Sequence, residues 1–456
     1  MRKTALFCLL LALYSLTTAQ DAAVNSLLSP YTRSGMQVSI LIKRASRTLA
    51  SYNPHKSLIP ASLAKIAVAY VALNRLGHRF RLKTLLYARG RVENNCLNGE
   101  LIVVARGDPA ISFRFDSPEK VFGDWAKKLR RLGITSVLRK LVIDVSYLGG
   151  AEVPSDYPES QRIYTYCAPT AAATINDSTF TLILKPTRPG LPARILLDPP
   201  QLLPVVNKTK TTSSRRLHAI SALIKDGKLV VTGRVWRGAK SSAYRFAAPD
   251  PAKLFALKLL CSLRKNGIRI DGYRVSKEPV ARSGAKLVAS HSVGLLDVVS
   301  VMLHKSVNVY AEMLVRVLGA EFAGSGSLKN GLAVLHRSLE AAGIKGVKLF
   351  NGSGLSRRSR ISAAACVAIL QKLAKIAPLS KILPAPGEGT LRRRFLSSPL
   401  KKRLFAKTGH IRSVNTLAGV VVGKANTFFA ILFNKTRTSG VKLHMLQRRI
   451  IERVCR

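Results

Sequence analysis

Pro60-Ala61-Ser62-Leu63-Ala64-Lys65-Ile66-Ala67-Val68-Ala69-Tyr70-Val71-Ala72-Leu73, closed by Gly77, is the stretch on which the reading of this chain turns. The unbroken apolar run from Ile66 to Leu73 predicts a buried helix, with a proline just before its start and a glycine at its stop. Ser62 and Lys65 are three residues apart at the first turn, so they fall on one side of that helix. A serine hydroxyl is a poor nucleophile until a base stands beside it. A lysine can be that base when it is neutral, and burial lowers a lysine pKa by disfavouring the charged form. The apolar run supplies the dry surroundings.

Two further motifs follow in order. Ser306-Val307-Asn308 occupies a short polar break between the apolar helical patterns Leu295 to Leu303 and Tyr310 to Leu318, where side chains project into a cleft. Lys407-Thr408-Gly409, followed by His410, precedes two strand-like runs, Thr416–Val422 and Thr427–Phe433, and reads as a sheet edge. There the lysine supplies charge, the hydroxyl a hydrogen bond, and the glycine room for a ligand to approach the backbone. Each motif alone is weak. Ser-x-x-Lys recurs at Ser283, Ser398 and Ser439, and Ser-x-Asn at Ser51 and Ser413. A helix cap at Ser306 or Asn308, and a solvated lysine at a strand end, are the plainer readings. Order and setting, together, favour a serine enzyme.

The 456 residues are enough for two or three domains, and at 47% hydrophobic the chain can bury a large core. The charge is extreme: 74 Lys and Arg against 23 Asp and Glu, a formal +51. The cations are scattered, without a basic tail or zinc-finger spacing, and aromatics are only 6%. That is poor material for base stacking and argues against nucleic acid as a partner. Diffuse peripheral attraction to an anionic wall or membrane surface fits better. Arg2-Lys3, the apolar run Ala5 to Leu16 and Thr17-Thr18-Ala19 read as a secretory signal over residues 1–19. The run is too short for a membrane anchor. Export to the periplasm or another extracytoplasmic wall compartment follows. The remaining cysteines are Cys96, Cys167, Cys261, Cys366 and Cys455, too dispersed for metal spacing, and the histidines form no ligand motif. No metal or cofactor is called for.

The texture changes between about Leu82 and Pro249. Short β-like runs dominate there: Leu101–Val104, Leu141–Val145, Phe180–Leu184, Ile195–Leu197 and Leu229–Val235. This predicts an inserted domain (83–165 and 236–249) with a nested β-rich domain (166–235). The flanks, 20–82 and 250–456, form one discontinuous domain. The chain closes on an amphipathic helix with Leu443, Met445, Leu446, Ile450, Ile451 and Val454 on one face and arginines on the other. Packing against a sheet is the expected role of that apolar face, and a membrane-surface contact is the alternative.

With the motifs in place, the chain resembles the D-alanyl-D-alanine carboxypeptidase/endopeptidases of the penicillin-binding protein 4 type, peptidase family S13. Asn351-Gly352-Ser353-Gly354-Leu355-Ser356-Arg357 is similar to that family's Asp-Gly-Ser-Gly-Leu-Ser-Arg, and Leu383-Pro384 through Gly389-Thr390-Leu391 to its Leu-Pro…Gly-Thr-Leu segment. Gly107-Asp108-Pro109 and Cys167-Ala168-Pro169 match residues of its insert. Ser306 lies 244 positions after Ser62. That spacing, wider than in serine β-lactamases, agrees with domains inserted after the Ser-x-x-Lys helix. The implied fold is a multidomain α/β (α+β) protein: a β-lactamase/transpeptidase-like domain, antiparallel sheet covered by helices, carrying β-rich insertions.

The resemblance also implies a mechanism on peptidoglycan stem peptides. Ser62 forms an acyl-enzyme, Lys65 is its base, Ser306 relays a proton to the leaving amine, and Asn308 orients Lys65 and the substrate. Lys407, Thr408 and Gly409 bind the terminal carboxylate side. His410 joins Ser62 in supplying oxyanion N–H groups, and Asp144 contacts the diamino-acid side chain. β-Lactams would be trapped as slow esters. The chain departs from the family pattern at Val307, Asn351, His410 and Leu148. These departures leave two alternatives: a non-catalytic wall-binding relative of the same fold, and a secreted polyanion-binding protein.

Overall fold

A computed structural model describes residues 20–455. The expected signal over residues 1–19 lies outside the described residues. The chain divides into two compact units. One holds the described residues up to Arg79, Leu295–Val307, and everything from Leu328 on; the other holds Phe80–Gly294 and Asn308–Ser327.

The first unit is built on a five-stranded antiparallel sheet. Its order is Leu404–Ile411, Val414–Val421, Thr427–Asn434, Gln37–Arg44, Arg47–Tyr52. The last strand of the meander closes on the first strand of the chain, with Ile40 opposite Ile431. Every residue of Val414–Val421 and of Thr427–Asn434 is buried, because helices cover both faces. On one side the N-terminal helix (residues 20–33) and Gly440–Cys455 share a core with the sheet through Val24, Leu28, Leu443, Leu446, Ile450 and Val454. The apolar face of the C-terminal helix is therefore spent on the sheet and not left for a membrane. Met445 is a correction: it is 60% exposed and sits outside that face. On the other side Ala363–Ile376 lies against the sheet, with Ala64–Leu76 packed on it. The latter helix buries its whole length from Ala64 to Leu73, as the continuous apolar run predicts.

The second unit contains a sheet ordered Tyr273–Ser276, Leu141–Asp144, Cys96–Arg106, Arg81–Glu93, Ala285–Gly294. Two three-stranded sheets follow in the chain, one from Val205–Thr212, Ala219–Lys225 and Lys228–Trp236, the other from Thr179–Lys185, Arg194–Asp198 and Ser242–Ala247. The β-like runs read between Leu82 and Pro249 fall in these strands, Val145 alone lying one residue past the end of its strand. Two differences stand out. Pro118–Arg131 is a helix within the stretch read as mostly strand, capped by the Ser117 side chain accepting from Lys120 N–H at 3.3 Å. The return to the first unit comes at Leu295, not at residue 250. Residues 285–294 pair with Arg81–Arg89, and Tyr273–Ser276 with Leu141–Asp144. Pro251–Lys265 packs on Pro118–Arg131, where the Phe122 and Phe255 rings meet edge to face at 5.2 Å. Those long-range pairings hold 250–294 in the second unit.

Among the described residues the five cysteines are free thiols. None of the described helices is long and apolar enough to cross a membrane, and among the described residues no cluster of His, Cys, Asp or Glu could hold a metal ion.

Candidate active site

Ser62 sits on a single 3-10 turn, Ala61–Leu63, that runs straight into Ala64–Leu76. The turn is set from two directions. Ala61 adopts φ +47°, a left-handed backbone unusual for a residue with a side chain. Thr416 donates its hydroxyl to the Pro60 carbonyl at 2.9 Å, which pins the approach. One helical turn on, Lys65 is fully buried, and its Nζ lies 3.0 Å from Ser62 Oγ and 2.7 Å from the Ser353 carbonyl oxygen. The amine is thus within proton-transfer reach of the hydroxyl.

The second pair lies in the same unit. Ser306 follows the helix Leu295–Lys305 and has φ +58°, so its backbone breaks the helical path. Lys407, on the edge strand Leu404–Ile411, donates to Ser306 Oγ at 2.9 Å and to the Thr408 carbonyl at 2.6 Å. Lys407 is also fully buried. Burial first, and then the positive charge of Lys65, hold its pKa well below the usual lysine range. That coupling ties the Ser62–Lys65 and Ser306–Lys407 pairs into one constellation.

Gly409 explains how the edge strand comes so close. A Cβ there would stand 2.2 Å from Thr416 Oγ1, 2.9 Å from the Pro60 carbonyl oxygen and 3.0 Å from Ser62 N. Only glycine lets the strand pass beside the amide of the nucleophile. The strand is the edge of its sheet, so it offers unpaired backbone groups. Thr408 is half-buried and His410 exposed. The backbone of His410 and the amide of Ser62 thus flank the Gly409 crossing.

Sequence reasoning assigned no role to the loop 351–357, although its likeness to a family segment was visible. The Ser353 carbonyl accepts from Lys65, and Gly354 (φ +80°) abuts Ala61, whose carbonyl oxygen would be 1.8 Å from an added Cβ. The loop therefore orients the base and buttresses the nucleophile's turn. Asn351 is buried and its Oδ1 accepts from Gly354 N–H at 3.0 Å. An amide oxygen accepts that bond as a carboxylate oxygen would. Val307 is buried.

Asn308 and Asp144 belong to the other unit. Asn308 opens the helix Asn308–Phe322 and donates its side-chain amide to the Tyr166 carbonyl at 2.8 Å. Asp144 is 4% exposed, with one oxygen accepting from Ser146 N–H at 3.0 Å and the other from Val280 N–H at 2.9 Å. The first bond braces the turn that follows Asp144, and the second ties it to Val280, far along the chain. Leu148, likewise buried, gives its carbonyl to Arg316.

A hydroxyl with a buried lysine beside it, a second hydroxyl held by a second lysine, and an open sheet edge define a serine acyl-transfer enzyme of the penicillin-recognising fold. Over residues 20–450 the sequence matches the D-Ala-D-Ala carboxypeptidase 3 (S13) family, and the chain belongs to that family. It is 26% identical over 432 residues to the D-alanyl-D-alanine carboxypeptidase DacB of Haemophilus influenzae, covering 91% of this chain and 88% of the relative. It is 27% identical over 410 residues to a D-alanyl-D-alanine carboxypeptidase of Actinomadura, covering 85% and 75%. The crystal structure of penicillin binding protein 4 from Haemophilus influenzae superposes with a TM-score of 0.79 at 24% identity, covering 94% of this chain and 98% of that one. Its complex with a β-lactam gives 0.75 at 25%.

Proposed function

We propose that the family's reaction runs here through an acyl-enzyme on Ser62. The protein is a D-Ala-D-Ala carboxypeptidase of the serine type, inhibited by β-lactams. The observation that carries the residue assignment is the 3.0 Å contact between Lys65 Nζ and Ser62 Oγ, beside the bond from the buried Lys407 to Ser306.

Ser62 Oγ attacks the carbonyl between the two D-alanines of a stem peptide as its proton passes to Lys65. The developing oxyanion sits between the N–H groups of Ser62 and His410. Ser306 relays that proton from Lys65 to the departing amine, so that Lys65 is neutral again and Ser306 keeps its hydroxyl, and the C–N bond breaks to leave an ester on Ser62. Water, deprotonated by Lys65, then releases the acid. Lys407 and Thr408 hold the terminal carboxylate, whose arrival restores the charge that burial disfavours on Lys407. A β-lactam takes the same path but its leaving amine stays tethered, so the ester persists.

The test is release of D-alanine from a stem pentapeptide. Wild type should release it and Ser62→Ala should not; equal release by both would sink the assignment.

The exported address and the anionic partner are part of the same proposal. A leader-like N-terminus and a +51 charge suit a protein working on the wall outside the cytoplasmic membrane. Retention on sacculi or anionic vesicles should weaken as salt rises, because scattered cations act through screened fields. Salt-independent sedimentation would contradict it.

A further inference from the structure

We infer that the outer face of the three-stranded sheet Val205–Thr212, Ala219–Lys225, Lys228–Trp236 is a docking surface for an anionic phospholipid bilayer. The inference rests on the anionic partner proposed above and gives it one address, within the second unit.

The register assigns the face. Ala219–Lys225 runs antiparallel to Lys228–Trp236, which runs parallel to Val205–Thr212. Residues directly opposite one another share a face, and successive residues alternate between faces. Leu229, Val231 and Val235 are buried, as are Thr209 and Thr211, so that set points inward. The outward set falls into rows. Lys225 stands opposite Lys228 at the hairpin end. The next row is Leu223, Val230 and Val206, and the one after it Ser221, Thr232 and Lys208. Ala219, Arg234 and Lys210 follow.

The five cations of these rows are exposed. None of them has an ion pair among the described residues. Like charges directly opposite each other destabilise a sheet, and two such pairs occur here, Lys225 with Lys228 and Arg234 with Lys210. The rows contain no carboxylate. Asp226, in the turn of the hairpin, is the only acidic residue between positions 205 and 236. The face is therefore a concentrated positive field that the fold does not neutralise, and an anionic surface would relieve its internal repulsion.

Shape and composition choose the partner. Three strands of six or more residues present a surface of about 10 by 20 Å, broad enough to lie on a plane. One whole row is aliphatic, and its Leu223 is 46% exposed. No aromatic ring lies in the four rows to stack on a base. Trp236, beyond them, is half-buried with the Arg215 guanidinium 5.5 Å above its ring. Aliphatic side chains flanked by lysine and arginine match the boundary of a bilayer, where the apolar row meets acyl chains and the cations meet phosphates. A hydrated wall polymer supplies the charge but nothing to cover Leu223.

The experiment is co-sedimentation of the full chain with phosphatidylglycerol/phosphatidylcholine vesicles, with pure phosphatidylcholine vesicles and with sacculi. It compares wild type, Lys208→Gln/Lys210→Gln/Arg234→Gln, Leu223→Ser and the charge-conserving Lys208→Arg/Lys210→Arg. A control with the same change of charge, Lys401→Gln/Lys402→Gln/Lys424→Gln, removes exposed cations of the first unit. Each cation at an anionic surface is worth roughly fivefold in affinity, so the triple face variant should bind anionic vesicles about ten- to a hundredfold more weakly. Leu223→Ser should weaken binding about threefold or more. The control and the arginine variant should stay within about threefold of wild type, and pure phosphatidylcholine should retain little of any protein. All these side chains face solvent, so melting temperature and labelling by a fluorescent penicillin should be unchanged. Equal losses in the face variant and the control would overturn the inference and leave a diffuse attraction. Loss on sacculi with vesicle binding intact would overturn it in favour of a wall polymer, and so would weak binding by the arginine variant or full binding by the face variant overturn it. A wild type retained on neither anionic vesicles nor sacculi would instead bring down the anionic partner itself, and this inference with it.

Discussion

The two units bury cations in opposite ways. In the first, Lys407 is sealed from solvent beside Lys65, and its hydrogen-bond partners are a hydroxyl and a carbonyl. In the second, Arg316 is equally buried but lies 3.4 Å from Glu152 and donates to the carbonyls of Gly326, Thr170, Leu148 and Gly150. His291 is held between Asp108 at 2.6 Å and Asp116 at 3.4 Å. A compensated buried charge is a strut. An uncompensated one is poised to lose its proton or to meet an incoming anion, and so marks chemistry.

Lys65→Met gives the largest expected effect on the first side of this contrast. Acylation by a β-lactam should fall at least about a thousandfold with the fold retained, because the hydroxyl loses its base while an unbranched side chain fills the space. Labelling at near wild-type rate would remove Lys65 from the mechanism. On the second side, Arg316→Ala should cost roughly 3–5 kcal/mol of stability, since it strands Glu152 and several carbonyls. A melting temperature within a degree of wild type would show that the clamp is not a strut. Gly354→Ala is intermediate. Its Cβ would collide with the Ala61 carbonyl at a positive φ, costing about 2–5 kcal/mol and slowing acylation through the displaced turn.

The smallest effects are pH dependences of opposite sign. The Lys407 pKa is depressed in the folded state, so the unfolded chain binds more protons between that pKa and 10.5. Stability relative to Lys407→Met should therefore rise with pH across that window. For His291, burial lowers the pKa, but Asp108 and then Asp116 raise it above 6.5 overall. Its contribution is complete below pH 6.5 and lost as pH rises through the folded value. His291→Gln should erase that dependence. Parallel melting curves for wild type and either variant across pH would break the distinction between the two kinds of buried cation.

Much of this was legible from residues alone, for local reasons. Ser62 and Lys65 are neighbours because helical spacing makes them so, and the run after them could only be buried. Ser306 was legible as a break between apolar helices, and Lys407 as the start of a sheet edge. What was hidden depends on pairings distant in sequence. The strand Ala285–Gly294 belongs with Arg81–Glu93, and nothing in either segment announces the other. Val205–Thr212 is mostly polar and gives no alternating apolar pattern, yet it is a strand whose Thr209 and Thr211 are buried beside Lys228–Trp236. The helix Pro118–Arg131 did carry a signal: Val121, Phe122, Trp125, Ala126 and Leu129 repeat at helical spacing behind a Ser-Pro start. The support given to Lys65 by the Ser353 carbonyl could not be seen, because a backbone oxygen leaves no mark in sequence.

The central claim is that Ser62, activated by Lys65, becomes acylated. The direct measurement is mass spectrometry of the protein after incubation with benzylpenicillin, with the adduct mapped by proteolysis. One penicilloyl group on the peptide containing Ser62, absent in Ser62→Ala, is the expected result. An adduct on another residue, or one that survives in Ser62→Ala, would contradict it.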